Sequence, residues 1–169
     1  MPGDDAGLAG RLAALLQLEC SSRVLDVGCG EGAAAVHLAW SLGCRVVGVD
    51  SSESNVEAAR RGAAERGVDG LCSFVRSDAD RIDVGDGRFD AVICELPLGS
   101  FVNRAGALQE LVGHLRPGGR MAVAQGDGSD LDQTVAALRS AGLEPGPLET
   151  GAERAIIVAQ LRSATPPER

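Results

Sequence analysis

Short apolar runs alternate along the chain with longer stretches of helical periodicity, a pattern typical of a parallel sheet covered by helices on both faces. Strands are predicted at 23–28, 44–49, 72–76, 89–94, 119–124, 143–150 and 154–161. Helices are predicted near 8–18, at 33–42, from Ser51 or Ser52 to about 66, at 105–115 and at 131–140. The pattern predicts an α/β fold with a seven-stranded, mostly parallel sheet, flanked by helices and ending in an antiparallel terminal strand.

The length of the chain predicts one domain, because a single core usually takes about 100–200 residues and this chain has 169. We place that domain at 1–162 and expect 163–169, which is polar and contains Pro166 and Pro167, to form a flexible tail. No apolar run approaches the roughly 18 residues of a membrane span. The amino terminus also lacks the pattern of a secretory signal. We therefore expect a cytoplasmic protein that does not interact with membranes.

The charges and aromatic residues argue against a nucleic-acid partner. The net charge is −8, and the 16 positive residues are arginines spread along the chain, without a cluster that could follow a phosphate backbone. One Trp and three Phe are too few for a platform on which bases stack. Five scattered cysteines without a CxxC pair indicate neither a metal site nor a disulfide framework. A small-molecule partner fits this composition better.

The segment VLDVGCGEG, at 24–32, runs from an apolar strand through a glycine-rich turn into a helix. Gly28, Gly30 and Gly32 have no Cβ atom, so the backbone can turn tightly, adopt positive φ and let a ligand lie against its peptide groups. This arrangement is typical of loops that bind nucleotides.

Two carboxylates accompany the glycine-rich turn. Asp26 lies inside the apolar strand, where a carboxylate is costly to bury unless a partner such as a cationic ligand amine binds it. Asp50 follows the second strand, about twenty residues after the glycines, in the position from which an acidic side chain binds the hydroxyls of a ribose. Together they predict a site for a nucleoside that carries an amino acid.

With these motifs the sequence resembles the class I S-adenosylmethionine (SAM)-dependent methyltransferases of the small-molecule type. The resemblance covers about 24–161 and includes VLDVGCGEG, VVGVD, RSDAD, FDAVICE and LRPGGRMAVA in family order. It implies a Rossmann-like fold, SAM as the cofactor, and transfer of its methyl group to a small molecule by direct in-line displacement.

The resemblance also implies roles for individual residues. Asp26, Gly28 and Gly30 would line the methionine part of SAM, with Cys29 and Gly32 in the same loop. Asp50 would bind the ribose, and Ser51 would lie beside the adenosine. Asp78 and Ala79 would face the adenine. Cys94 and Glu95 would open onto the methyl group as candidate catalytic residues, with Cys94 also a cofactor contact and Glu95 the candidate base.

Several alternatives stay open at this point. Gly28, Gly30 and Ala33 also satisfy the dinucleotide fingerprint GxGxxA, which would indicate an NAD(P)-dependent oxidoreductase. A non-catalytic SAM-binding or partner-binding domain of the same fold is a second alternative. The segment CELPLGSF departs from the Asn/Asp-Pro-Pro-aromatic motif, which disfavours adenine and glutamine as acceptors. It bears a faint likeness to arsenite methyltransferases, but arsenic would need several convergent thiolates.

Two further expectations concern assembly and packing. No long insertion that could form a lid is apparent near the carboxyl terminus, so we expect that the acceptor is either bound openly or covered by a second subunit in a homodimer. Trp40, at the end of a predicted helix, is expected in the core.

Overall fold

The computed structural model describes residues 4–78, 81–85, 87–96, 101–126, 130–150 and 154–163. Helices and strands alternate through most of the chain, as the hydrophobic pattern predicts. In chain order they are α1 (Asp4–Leu16), β1 (Arg23–Val27), α2 (Ala33–Leu42), β2 (Arg45–Asp50), α3 (Glu53–Glu65), β3 (Cys72–Arg76), β4 (Phe89–Cys94), α4 (Arg104–Gly113), β5 (Leu115–Gly126), α5 (Leu131–Ser140), β6 (Leu143–Thr150) and β7 (Arg154–Leu161).

The strands form one seven-stranded sheet in the order β3-β2-β1-β4-β5-β7-β6. The pairs from β3 through β5 are parallel, whereas β7 runs antiparallel to both of its neighbours, β5 and β6. The predicted fold class is confirmed. From β1 the chain adds β2 and β3 on one side, and β4 then pairs with the opposite side of β1. The strand order therefore reverses at β1, and open α/β sheets bind ligands where the order reverses.

Alternate residues of the central strands face opposite layers of helices. Val24 and Ile93 belong to a core shared with α1, α2 and α3, whereas Leu25 and Val92 belong to a core shared with α4 and α5. Because both faces of the sheet are covered, the central strands read as nearly continuous apolar runs. Asp26 interrupts the run in β1.

β5 begins earlier than the sequence predicts. The strand was predicted at 119–124, but pairing with β4 already starts at Leu115 and then jumps to Arg120. Gly118 adopts a φ of 75°, and Arg116 forms an ion pair with Asp90 at 2.7 Å. The glycine-rich residues therefore form a bulge within β5 and not a separate turn before it, because the β4 partner holds both sides of the bulge.

The expected burial of Trp40 is wrong. Its side chain is 55% exposed, because Leu38 and Ala39 already occupy the buried side of this part of α2. The guanidinium carbon of Arg66 lies 4.9 Å from the ring centroid. Trp40 is therefore part of a surface contact between α2 and the end of α3.

Within the described parts of the chain, none of the helices combines the length and the apolar character that a membrane span needs. The predicted tail at 163–169 lies, apart from Ser163, outside the described residues. The boundary between domain and tail stays a prediction.

Candidate functional site

A cleft opens at the carboxyl ends of β1, β2 and β3, where the strand order reverses. Its volume is about 380 Å³, within the range of roughly 300–1,000 Å³ that is usual for small-molecule sites. It is lined by Val27, Gly28, Val49, Asp50, Ser51, Ser77, Asp78, Arg81, Leu96 and Phe101. Its position is the one at which nucleotides bind to this class of sheet.

The loop between β1 and α2 has a conformation that requires glycine. Gly28, Gly30 and Gly32 have φ angles of 76°, 54° and 81°, in the left-handed region that other residues rarely adopt. A Cβ atom at Gly28 would lie 2.5 Å from Cγ of Leu96, whereas nothing lies within 4 Å of one at Gly30. Gly28 thus lets Leu96 pack on the loop, and the space over Gly30 is open.

Asp50 holds the glycine loop against β2. Its Oδ2 accepts a hydrogen bond from the backbone N–H of Gly30 at 2.9 Å. Its Oδ1 accepts from the backbone N–H of Ser52 at 2.9 Å and from Nδ2 of Asn55 at 3.1 Å. A carboxylate offers roughly four acceptor positions, so about one remains for a ligand in the cleft that Asp50 lines.

Asp26 is a buried carboxyl group without a hydrogen-bond partner among the residues that the structure describes. Its exposed fraction is 0%, and neither carboxylate oxygen finds a hydrogen-bond partner among the described residues. Its neighbours across the sheet are Gly48 and Ile93, which offer no polar side chain. Burial, and after it the charges of Glu95 and Asp50, raise the pKa of Asp26 well above the ordinary value. The site therefore favours a cation close to this side chain.

Glu95 stands at the end of β4, one residue beyond the strand. Its backbone N–H donates to the carbonyl of Val27 at 3.2 Å, which brings Glu95 beside the start of the glycine loop. Its Oε2 accepts a hydrogen bond from Nη1 of Arg154 at 3.0 Å. Arg154 begins β7 and pairs with Gly126 at the end of β5. This ion pair, the Glu95–Arg154 pair, joins β4 to β7 across the end of β5.

The two cysteines nearest the cleft carry thiols and not thiolates. Cys94 is fully buried, its Sγ donates to the carbonyl of Leu96 at 3.5 Å, and burial raises its pKa to about 12. Burial likewise raises the pKa of Cys29, whose Sγ donates to the carbonyl of Gly30 at 3.6 Å. Because the thiolate is the reactive form of cysteine, both side chains act as small packing groups at neutral pH.

The remaining buried cysteines lie away from Cys94. Cys44 and Cys72 donate to carbonyls of α2 and belong to the core shared with α1, α2 and α3, whereas Cys94 belongs to the core on the opposite face of the sheet. In the described ranges, no three His, Cys, Asp or Glu side chains group together as a metal ion requires. These positions count against the arsenite alternative.

The structure brings part of the predicted site together at the cleft surface. Gly28, Asp50, Ser51 and Asp78 line the cleft. The other predicted contacts within the described residues are the buried Asp26, Cys29 and Cys94, the loop glycines Gly30 and Gly32, and Glu95 at the edge of the sheet. Ala79 lies outside the described residues, so its predicted contact with adenine stays a prediction.

Some residues of the site were not predicted from the sequence. Arg81, Leu96 and Phe101 line the cleft, and Arg154 binds Glu95. The first three lie in segments between strands where the sequence has no periodicity. Arg154 comes from a strand 59 positions away from its partner in the chain. Neither local pattern nor motif spacing marks such residues.

The strand order, the glycine loop after β1 and the carboxylate at the end of β2 define a Rossmann-like α/β domain, a class of fold in which nucleosides bind at this position. A family model for the methyltransferase domain matches residues 24–119, which include Asp26, Asp50 and Glu95. The chain belongs to the class I SAM-dependent methyltransferase family. The resemblance stated from the sequence is confirmed.

Curated relatives share sequence over much of the chain. The 27-O-demethylrifamycin SV methyltransferase of Amycolatopsis mediterranei (strain S699) is 33% identical over an alignment of 162 positions, gaps included, that covers 82% of this chain and 60% of that protein. The demethylmenaquinone methyltransferase of Clavibacter sepedonicus is 37% identical over 103 residues, 61% of this chain and 40% of that protein. The chain therefore spans less than two thirds of the length of these relatives.

Solved structures share the fold. A SAM-dependent methyltransferase from Thiobacillus denitrificans, in complex with S-adenosyl-L-homocysteine, is 26% identical with a TM-score of 0.69 and covers 83% of this chain and 65% of its own. The cyclase SpnF has a TM-score of 0.85 at 21% identity, over 94% of this chain and 82% of its own. The likeness to SpnF concerns the fold alone, and a fold does not determine the chemistry performed on it.

Proposed function

We propose that this chain binds SAM in the cleft at the carboxyl ends of β1, β2 and β3 and transfers its methyl group to a small-molecule acceptor by in-line displacement. The observation that carries the proposal is the unpartnered carboxyl group of Asp26, buried between Asp50 and Glu95 beside a loop of three positive-φ glycines. A ligand with a nucleoside and a cationic amine satisfies both parts of this arrangement.

The described residues fit SAM. Asp50 retains about one acceptor position for a ribose hydroxyl. The ammonium group of SAM would supply the partner that Asp26 lacks among the described residues. Val49, Leu96 and Phe101 provide apolar walls against which a purine ring packs. Ser51 and Asp78 add polar groups on the same lining. We assign the adenosine to this part of the cleft and the amino-acid part to the glycine loop.

The task of the protein is mainly one of alignment. SAM, when bound, supplies an electrophilic methyl group on a sulfonium, so no residue has to act as a nucleophile. The glycine loop and Asp50 orient the cofactor, and the apolar lining of the cleft excludes water from it. Alignment of acceptor and methyl group accounts for much of the rate in such reactions.

We assign Glu95 as the group that accepts a proton from acceptors that must lose one. The ion pair with Arg154 holds the Glu95 carboxylate beside the glycine loop, and a carboxylate is a group that can accept a proton. Cys94, predicted beside Glu95 as a second catalytic candidate, is a buried neutral thiol. We assign it to packing beneath the site.

A small molecule is the acceptor that the observations favour. Both relatives described above are named for small molecules, 27-O-demethylrifamycin SV and demethylmenaquinone. The net charge of −8 disfavours nucleic acid. We also propose a cytoplasmic location, because all five cysteines are free thiols and the cytoplasm keeps thiols reduced. The possible homodimer stays a prediction.

The alternatives have less support. The family match at 24–119 favours SAM over a dinucleotide, and so does the buried carboxyl group of Asp26, which could bind the ammonium group of SAM. Gly28, Gly30 and Ala33 nevertheless also fit the dinucleotide fingerprint. A non-catalytic SAM-binding domain has the same cofactor site, so only turnover distinguishes it from an enzyme.

The test of the proposed activity is an acceptor screen. The protein is incubated with SAM carrying a labelled methyl group and with a library of phenols, quinols, carboxylic acids and amines. We expect labelled product and S-adenosylhomocysteine in equal amounts for at least one acceptor class, and less of both with Asp50→Ala at SAM concentrations near the Kd of the wild type. Tight SAM binding without turnover on any acceptor, including extracts of cellular small molecules, would instead favour the non-catalytic domain.

A further inference from the structure

The carboxyl group of Asp26 is surrounded by negative charge and apolar groups. It is fully buried, and no described residue forms a hydrogen bond with either oxygen. The charged groups that act on it are Asp50, at the end of β2, and Glu95, at the end of β4. The charge of Glu95 is in part balanced by Arg154, whereas no arginine in the described part of the chain forms an ion pair with Asp26.

The other titratable groups near Asp26 are thiols. Cys29 in the glycine loop, Cys72 at the start of β3 and Cys94 at the end of β4 each respond to the charge of Asp26. Burial raises the pKa of all three, so they are neutral at physiological pH and offer no positive charge. An ionised Asp26 would therefore be a buried anion without compensation, and such a group takes up a proton instead.

We propose that Asp26 holds a proton in the ligand-free protein and releases that proton to solvent when the cationic amino-acid part of SAM binds. The inference rests on the proposed cofactor. In this step the O–H bond of the Asp26 carboxyl group breaks, the proton passes to the buffer, and the ammonium group of the ligand balances the new carboxylate charge. No electrons are transferred and no covalent bond to the ligand forms.

The proposal makes SAM affinity depend on pH in a defined direction. Because binding releases a proton, a rise in pH strengthens binding, by at most about tenfold per pH unit for one proton. This pH dependence of SAM affinity occurs only at pH values at which Asp26 is still protonated in the ligand-free protein. A ligand without the cationic groups, such as 5′-methylthioadenosine, binds the adenosine part of the cleft and leaves the proton on Asp26.

The experiment is isothermal titration of the whole protein with SAM in MES and in Bis-Tris, buffers with different ionisation enthalpies, at several values between about pH 5.5 and 6.5. This range lies below the pKa of about 7.7–8.0 typical of an α-amino group, so the ligand itself stays protonated. The difference in heat between the buffers counts the protons released. We expect a fraction of a proton, up to one, per SAM bound to the wild type.

Variants assign the proton to its source. Asp26→Asn should bind SAM with no proton release and with an affinity that is independent of pH, while Asp69→Asn, an exposed carboxylate at the α3–β3 turn, should behave as the wild type. Binding of 5′-methylthioadenosine shows that Asp26→Asn has folded. Glu95→Gln removes one of the charges that favour the proton on Asp26, so its proton release should shift to lower pH.

The outcomes separate the inference from the proposed function. SAM binding with proton release that is lost in Asp26→Asn supports the inference. SAM binding to the wild type without proton release at any pH in this range, or with release unchanged in Asp26→Asn, overturns it and leaves the proposed cofactor intact. Absence of SAM binding overturns both.

Discussion

The Asp50 carboxylate holds the glycine loop and lines the cleft at the same time. Its three hydrogen bonds reach the backbone of Gly30 and of Ser52 and the side chain of Asn55. These hydrogen bonds therefore orient the Asp50 carboxylate before a ligand binds to it. Orientation before binding reduces the entropy lost on association.

We expect Asp50→Ala to weaken SAM binding by about 1–3 kcal/mol, roughly 5-fold to 150-fold, because it removes a charged hydrogen-bond acceptor and releases the loop. Asn55→Ala removes only one hydrogen bond to the same carboxylate and should cost less. Calorimetric titration of both variants with SAM is the measurement. Equal affinity of Asp50→Ala and wild type would contradict the assignment of the ribose to Asp50.

Gly28 and Gly30 share a positive φ but differ in their surroundings. Alanine at either position should cost about 1–2 kcal/mol of stability for the left-handed backbone. At Gly28 the new Cβ also meets Leu96 at 2.5 Å, whereas at Gly30 it meets nothing within 4 Å. Urea denaturation should therefore show Gly28→Ala as the less stable variant, and equal losses would argue against close packing of Leu96 on the loop.

Asp26 also links stability to pH. Its pKa is raised in the folded protein, so the folded state binds the proton more tightly than the unfolded state. The resulting stabilisation is fully present below the ordinary carboxyl pKa of about 4 and is lost as pH rises through the folded pKa. We expect the melting temperature of Asp26→Asn, relative to wild type, to increase from acid to neutral pH. Parallel melting curves for the two proteins across this range would refute the burial argument.

At the scale of elements, the Glu95–Arg154 pair joins the end of β4 to the start of β7. Its side chains are 18% and 43% exposed, and ion pairs of this kind contribute about 0–1 kcal/mol to stability. Its importance therefore lies in holding the Glu95 carboxylate beside the glycine loop, and not in holding the sheet together.

Glu95→Gln should lower turnover by about 100-fold or more on an acceptor that must lose a proton, because an amide cannot accept that proton. This loss should be far larger than any change in SAM affinity. Steady-state kinetics with an acceptor from the screen is the measurement. Glu144→Gln is the matched control, since it breaks an exposed ion pair away from the cleft, between Glu144 on β6 and Arg162 just after β7. Unchanged turnover in Glu95→Gln would dismiss the role as a base.

The sequence predicts best the strands that are buried on both faces of the sheet, because they appear as nearly continuous apolar runs. β1 and β4 are examples, since nearly every residue in them packs in a core. The start of β5 was predicted wrongly, because a Pro-Gly-Gly segment signals a turn whether it ends a strand or bulges within one. Its pairing with β4 on both sides of the bulge depends on contacts that no local pattern shows.

At the scale of the whole molecule, the candidate site draws on residues from 26 to 154, all at one edge of the sheet. The part next to the glycine loop could be predicted, because Gly28 and Asp50 lie at a spacing that reflects a βαβ unit. Phe101 and Arg154 could not be predicted, since they reach the site only through the order in which distant strands assemble.

The measurement that tests the central claim most directly is isothermal titration of the purified protein with SAM, S-adenosylhomocysteine, NAD and NADP. We predict micromolar binding of the two adenosyl ligands (about −8 kcal/mol for a Kd near 1 μM) and no binding of either nicotinamide cofactor. Binding of NAD or NADP in place of SAM, or of none of the four ligands, would contradict the claim that this cleft is a SAM site.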